Sequence, residues 1–266
     1  MKILVLIKYS YDVAEIKVDP STKELRLTGV PEKIGNIDKN AVEAAIRLRD
    51  EQGGGTVHAL CLGPEAARES FRDVLAMGVD DVTLVVENPD AVKEAAAVVH
   101  ILEAAIQKMG SFDLIVCGFA SDDGYTYQVG PRLAERLGMP LISYVRQIAV
   151  ADGKIKADRD MDEGLQTVAA PLPALISAAE EAFPPRRTTL MDAIKAKKKP
   201  VNVWSLESDL GLDLAKLQQY NNLASSSQMG IVVHRKQNVL KGKPAAELAD
   251  QLIDALLQES VLKGAA

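Results

Sequence analysis

The sequence predicts an α/β protein: a doubly wound, mostly parallel sheet with an added small β region and an extended C-terminal arm. Three observations predict it. From the N-terminus to about residue 143, short apolar runs rich in branched residues alternate with stretches of three-and-four periodicity, as in strands covered on both faces by crossover helices. Residues 144–178 switch to strands joined by a tight hairpin signal, Asp152-Gly153. After Phe183-Pro184-Pro185 the periodic pattern ends, and the chain closes on an amphipathic segment.

Each element has its own signal. Ile3 to Ile7 is a continuous branched apolar run and reads as the first buried strand. Residues 9–35 are polar; Glu15 to Val18 and Glu24 to Leu27 flank Asp19-Pro20-Ser21 and predict a small inserted hairpin. Ala41 to Asp50 is helical, with Val42, Ala45, Ile46 and Arg49 on one face, and Gly53-Gly54-Gly55 stops it. Val57 to Leu62 is the second strand, and Gly63-Pro64 opens a helix that runs to about Gly78. Val82 to Val86 is the third strand, followed by a helix from Asp90 to about Met109. Leu114 to Cys117 is the fourth, ending at Gly118; a helix over about Tyr127 to Leu137 follows and stops at Gly138-Met139-Pro140. Leu141 to Ser143 reads as a short fifth strand, and the crossovers are expected to be right-handed. Arg146 to Val150, Lys154 to Asp158, Leu165 to Ala170 and Ala174 to Ala178 are further strands. The boundary between the α/β domain, 1–183, and the remainder, 184–266, falls after Phe183. The closing helix covers about Ala245 to Leu262, with Leu248, Leu252, Ile253, Leu256 and Leu257 along one face.

Composition narrows the function classes. Apolar residues make up 47% of the 266 residues but aromatics only 4%, so the core is aliphatic. A net charge of −6 gives no overall attraction to nucleic acid. Cys61 and Cys117 are the two cysteines; each lies in an apolar run and reads as a buried free thiol, without the neighbours a metal site needs. No apolar stretch approaches the roughly 20 residues of a membrane span, and Met1-Lys2 leads straight into the first strand. A soluble, reducing, cytoplasmic setting is expected. His58, His100 and His234 form no catalytic constellation, and Trp204 suits either a core or an interface.

Open parallel sheets bind ligands beyond the carboxyl ends of strands, where the strand order reverses. One common arrangement sets strands one and four side by side, so that the loops after Lys8 and after Gly118 meet. The second loop, 118–131, leaves a strand and enters a helix whose free N–H groups can hold phosphate oxygens. Thr126 and Gln128 add side-chain donors, and Gly130 removes a side chain where a ligand approaches. Asp122 and Asp123 oppose a phosphate unless they point away; Asp123 is suited to capping backbone donors. The loop equally suits an ordinary strand-to-helix connection. Neither a Walker-type Gly-Lys-Ser/Thr nor GxGxxG is present.

This loop resembles the nucleotide loop of electron transfer flavoprotein beta subunits at Asp123-Gly124, Thr126 and Gln128-Val129-Gly130-Pro131. Residues 159–168, followed by Leu172-Pro173-Ala174-Leu175-Ile176-Ser177, are similar to the family signature, with Glu163 where Gly is usual and Gln166 where Glu is common. Lys2 to Lys8, Cys61-Leu62-Gly63-Pro64, residues 75–80 and residues 185–199 are also similar to family segments. The resemblance implies an adenine-nucleotide α-hydrolase-like, universal-stress-protein-like core and a heterodimer with a larger alpha subunit that carries FAD. It implies a nucleotide in this chain too: AMP in the respiratory type, a second FAD in the electron-bifurcating type, which Gln128 to Pro131 and Glu15 to Pro20 resemble more. Tyr125 stands where Asp is usual in both types. Residues 35–38 match the family's Asn-Pro segment loosely. The implied nucleotide contacts are Leu6, Lys8, Asp38, Leu62, Ser121, Asp122, Asp123, Gly124, Tyr125, Thr126, Gln128, Val129, Gly130 and Pro131. Leu190 matches the family's partner anchor, ahead of the run Lys195 to Lys199, and residues 184–266 become a recognition loop and an arm packing on the alpha subunit. The implied partners are an acyl-CoA or other flavin dehydrogenase and, in the bifurcating case, NADH and ferredoxin; the chain itself does no bond chemistry. The alternative class is a stand-alone nucleotide-binding regulatory module of universal-stress-protein type, but its core would stop near residue 150. An ATP-dependent hydrolase or synthetase lacks a nucleophile, a metal cluster and a triphosphate loop.

Overall fold

The computed structural model describes residues 1–87, 92, 94–220 and 238–262. Of these, 1–17 and 25–220 form one compact unit, and 18–24 with 238–262 form another.

The first unit is built on a nine-stranded sheet. In chain order its strands are β1 (Lys2–Ile7), β6 (Thr56–Gly63), β7 (Asp81–Val86), β8 (Leu114–Gly118), β9 (Leu141–Ala151), β10 (Lys154–Met161), β11 (Gly164–Pro171), β12 (Ala174–Ala178) and β13 (Val201–Ser205). Short strands β2 (Tyr9–Tyr11) and β5 (Glu32–Ile34) pair with each other. β3 (Lys17–Val18) and β4 (Leu25–Arg26) make the predicted hairpin, whose turn is held by Asp19 accepting from the Ser21 and Thr22 amides at 2.8 and 3.0 Å. The helices are α1 (Asn36–Glu51), α2 (Phe71–Met77), α3 (Ala95–Met109), α4 (Val129–Leu137), α5 (Leu190–Ala196), α6 (Leu214–Leu217) and α7 (Ala245–Gln258).

The sheet order is β11-β10-β9-β12-β8-β1-β6-β7-β13. All neighbours are parallel except β9–β10 and β10–β11. Strand alternation divides the core into two layers. Ile3, Val5 and Ile7 of β1 pack with α1 and α2, while Leu4 and Leu6 pack with α3 and α4 on the other face. This is the predicted doubly wound α/β arrangement. Its fully buried large side chains are Ile and Leu apart from Phe71, as the low aromatic content requires.

Several boundaries differ from the sequence reading. α1 begins at Asn36, five residues before the predicted start, because Asp122 from a distant loop accepts from the Asn36 and Ile37 amides at 2.6 and 3.3 Å. That cap is supplied in three dimensions and is invisible to local pattern. The helix predicted after Gly63-Pro64 is a 3₁₀ turn, Glu65–Ser70, and then α2. The predicted start at Asp90 lies outside the described residues; α3 is helical from Ala95. The short fifth strand and Arg146 to Val150 are one strand of 11 residues, β9. It crosses Tyr144, whose φ is 57°, where the pairing with β12 shifts register between Ile176 and Ala178. Asp152 and Gly153, with φ of 51° and 70°, make the predicted tight turn between β9 and β10. The sheet also continues past residue 183: β13 runs parallel to β7 as an edge strand. Its half-exposed sequence, VNVWS, lacks the apolar run that marks a buried strand. Trp204 packs partly buried against the α3 layer, with the Lys108 ammonium 4.6 Å over its ring.

In the second unit, α7 carries the predicted apolar stripe, yet none of its residues is buried and Leu252, Ile253 and Leu257 are exposed. Among the described residues, no helix is long and apolar enough to cross a membrane.

Candidate functional site

The chain builds outward from β1 through β6 to β7, then returns to place β8 on the other side of β1. Strand order therefore reverses between β1 and β8, and their following loops meet there, as that arrangement predicts. Lys8 donates to both carboxylate oxygens of Asp123 at 2.7 Å across this crevice. The two acidic residues of the loop are thus occupied: Asp122 caps α1 and Asp123 is neutralised by Lys8. Burial raises the Asp123 carboxyl, but the Lys8 ammonium outweighs it and holds the group below its ordinary value. Neither carboxylate is left to repel an anion at the start of α4.

A cavity of about 260 Å³ opens at the carboxyl ends of β8, β1, β6 and β7. Of the residues singled out from sequence, Leu6, Lys8, Asp38 and Leu62 line it from β1, α1 and β6. Ser121, Gly124, Thr126, Gln128, Val129 and Gly130 line it from the loop and from α4. Asp122, Asp123, Tyr125 and Pro131 do not line it. The N-cap residue Gln128 makes no side-chain cap bond to α4, and the cavity lies at that end of the helix. Glycine at 130 has a packing reason in addition: a Cβ there would sit 3.1 Å from Cys117 Sγ, so glycine lets α4 close on β8. At Gly118 a Cβ would lie 2.5 Å from Ile37 Cγ2 and 2.9 Å from the Ala120 carbonyl, so α1 and the loop approach closely only over a glycine.

Two acids sit in the cavity wall, Asp38 buried and Glu87 half-buried. Asp38 accepts from the Lys8 backbone amide at 3.0 Å, yet burial pushes its carboxyl up to about 8. Glu87, at the end of β7, is pushed up to about 7 by burial, and one of its oxygens is sealed from solvent with no hydrogen-bond partner among the described residues. Sequence reading missed Glu87; its place directly after a buried strand is the signal that marks it. Cys61 and Cys117 are both buried, and burial pushes each thiol up to about 12, far from thiolate chemistry.

The loop also carries an aromatic group that the sequence reading did not assemble. Phe119, Tyr125, Tyr127 and Tyr144 have ring centroids 5.3–6.3 Å apart. Tyr125, Tyr127 and Tyr144 all hold positive φ, at 47°, 61° and 57°. Such backbone costs on the order of 1 kcal/mol per residue, which ring pairs worth about 0.5–1.5 kcal/mol each offset. Tyr125 further donates to Glu180 at 3.3 Å. The quartet fixes the path of the loop between β8 and α4.

Elsewhere, Leu190 is 78% exposed at the start of α5, with Met191 and Ile194 exposed beside it. Thr189 and Asp192 form a capping box that holds this short helix. A more open hollow of about 360 Å³ lies between α2 and the α5–β13 segment, lined by Arg68, Arg72, Lys197 and Lys199. Lys199 there donates to the Leu75 and Val79 carbonyls at 2.8 and 2.6 Å, which suits a helix cap rather than a ligand site. His58 bonds Asp81 at 2.8 Å and Thr56 at 3.0 Å, and His100 packs on the Tyr220 ring; both are structural, and His234 lies outside the described residues.

The residues fit a nucleotide. Leu6, Leu60, Leu62, Val98 and Leu102 form the apolar part of the wall, the kind of surface that a base ring packs against. The α4 N-terminus, Ser121, Thr126 and Gln128 supply donors at the other end. Comparison with known proteins gives the family. Residues 25–209 match the electron transfer flavoprotein domain. The electron transfer flavoprotein subunit beta of Thermoanaerobacterium thermosaccharolyticum is 33% identical over 98% of this chain and 95% of its own length. The caffeyl-CoA reductase-Etf complex subunit CarD of Acetobacterium woodii is 30% identical over 98% of this chain and its full length. Protein FixA of Azorhizobium caulinodans is 36% identical over 80% of this chain and 78% of its own length.

Proposed function

This chain belongs to the electron transfer flavoprotein family, on the beta-subunit side, and from that premise we propose that it holds an adenine nucleotide in the β1–β8 crevice and works bound to a flavin-carrying alpha subunit. The observation that carries the reading is the cavity at the strand-order reversal, lined by ten of the residues singled out from sequence. Phosphate oxygens are met by the uncapped start of α4 with Ser121, Thr126 and Gln128, and the base enters the leucine-lined end. A bound flavin supplies the redox chemistry; this chain's residues bind, orient and exclude water.

Two parts outside the cavity complete the proposal. Leu190, with Met191 and Ile194, is the anchor for an electron-transferring dehydrogenase, because an exposed apolar side chain on a capped helix suits a pocket in a partner. The apolar stripe of α7 packs on the alpha subunit. Between AMP and a second FAD in this chain we favour FAD, and with it bifurcation from NADH, on the likeness of Gln128 to Pro131 to that type. A cytoplasmic place of action belongs to the same proposal.

The test is a nucleotide count. The complex of this chain with its alpha subunit is denatured and the released FAD and AMP are quantified by chromatography. Two FAD per heterodimer is the expected result. One FAD with one AMP would replace bifurcation with simple carriage, and no nucleotide beyond the alpha subunit's FAD would remove the site from this chain.

A further inference from the structure

Asp38, Glu87 and Glu94 all line the cavity, but the strand order sets the α4 loop, after β8, and Glu87, after β7, on opposite sides of it, and that arrangement orients whatever enters. The α4 N-terminus and its hydroxyl and amide side chains attract phosphate. Glu87 closes the opposite end, beyond β6, where the walls are Leu60, Leu62, Val98 and Leu102. A phosphate cannot lie there without facing a carboxyl in an apolar surround. A purine can, with its ring between the leucines and its edge toward Glu87. In the order β8-β1-β6-β7, the strand that leads into the α4 loop and the strand that ends at Glu87 are three spacings apart, roughly 14 Å. That is about the reach of a nucleoside monophosphate from its phosphate to the far edge of its base.

Glu87 itself calls for a partner. Its side chain lines the cavity wall, and among the described residues no hydrogen bond reaches one of its carboxyl oxygens. A buried polar atom without a partner is costly, and such atoms in native folds usually meet a ligand, ion or water. The cation acting on Glu87 is Lys8, whose ammonium is already bonded to Asp123.

We propose that Glu87 is the base-reading residue of this site, its carboxyl oxygen accepting a hydrogen bond from the exocyclic 6-amine of adenine. The inference rests on the nucleotide reading above but not on the choice between AMP and FAD, since both present the same adenosine. Glu87 is a specificity residue; it does no chemistry. A carboxyl supplies an acceptor whether neutral or ionised, so the contact survives the raised proton affinity that burial gives this group.

The experiment compares AMP with purine riboside 5′-monophosphate, which lacks only the 6-amine. Binding is measured by calorimetry on the full chain in complex with its alpha subunit, after endogenous nucleotide is removed from this site. Wild type is expected to bind AMP about tenfold more tightly than the analogue, the loss of one good hydrogen bond. Glu87→Ala is expected to bring the ratio to about one by weakening AMP alone, and Glu87→Gln, which keeps an acceptor oxygen, to retain most of it. Equal affinity of wild type for the two probes would overturn the proposal without touching the nucleotide site. So would an undiminished ratio in Glu87→Ala. Failure of wild type to bind either probe would instead sink the nucleotide reading itself.

Discussion

Asp38 carries a cost that its neighbours only partly relieve. Its carboxyl is pushed from 3.8 up to about 8, chiefly by burial. Between those values the folded chain keeps a proton that the unfolded chain has lost, so folding stability falls as pH rises through that window. Asp38→Asn keeps an acceptor for the Lys8 amide and carries no charge. Its gain in Tm over wild type should be smallest near about pH 4 and widen to several degrees by about pH 8, levelling off above; a gap that does not change with pH in calorimetry would show that Asp38 is not the titrating group. Sequence reading placed Asp38, Lys8 and the 121–130 loop together through family resemblance and the strand-end rule. It could not place Glu87, because a single acid after a branched run looks like any solvated strand end. It also proposed Asp123 as the capping acid. The cap is Asp122, and Asp123 pairs with Lys8; only the three-dimensional path of the loop distinguishes two adjacent aspartates.

Elements were legible wherever one period ran unbroken. β1, β6, β7 and β8 are short apolar runs, and each falls within about one residue of its expected bounds. Legibility failed where a distant group set the boundary, as Asp122 does for α1, or where an irregular residue sits inside a strand, as Tyr144 does in β9. The segment after 183 was hardest, because tertiary ion pairs hold its start. Glu43 of α1 is buried and accepts from Arg186 Nε at 2.8 Å, from the Arg186 amide at 3.1 Å and from Arg47 at 2.7 Å. Burial raises the Glu43 carboxyl, but the two guanidinium groups outweigh it and keep the acid below its ordinary value. This cluster pins the chain between β12 and α5. Arg186→Ala should cost about 2 kcal/mol in urea denaturation, discounted from a fully buried pair because Arg186 is 34% exposed and Arg47 remains. Loss of under about 0.5 kcal/mol, the range of an ordinary surface change, would count against an anchoring role.

At the scale of the molecule, the sequence announced a doubly wound sheet because every crossover had a strand, a helix and a punctuating glycine or proline. It announced the closing helix as amphipathic but not what that helix covers, since pattern records a face and not its partner. α7 has no buried residue. A chain ending at residue 220 should therefore keep the far-ultraviolet signature and nucleotide binding of the α/β unit. By the proposal that α7 packs on the alpha subunit, it should fail to co-purify with that subunit in size-exclusion chromatography. Retention of the complex by the shortened chain would move the interface elsewhere.

Trp204 is the only tryptophan in the chain. It lies on edge strand β13 under the Lys108 ammonium, while four rings of the aromatic quartet stand at the loop that enters α4. The protein therefore contains two spectrally separate reporters. Tryptophan emission follows the seating of the edge strand beyond α5, and three of the six tyrosines, Tyr125, Tyr127 and Tyr144, bring the loop beside the crevice into the tyrosine ellipticity. Docking at one place and filling at the other can be watched in the same cuvette, without a label.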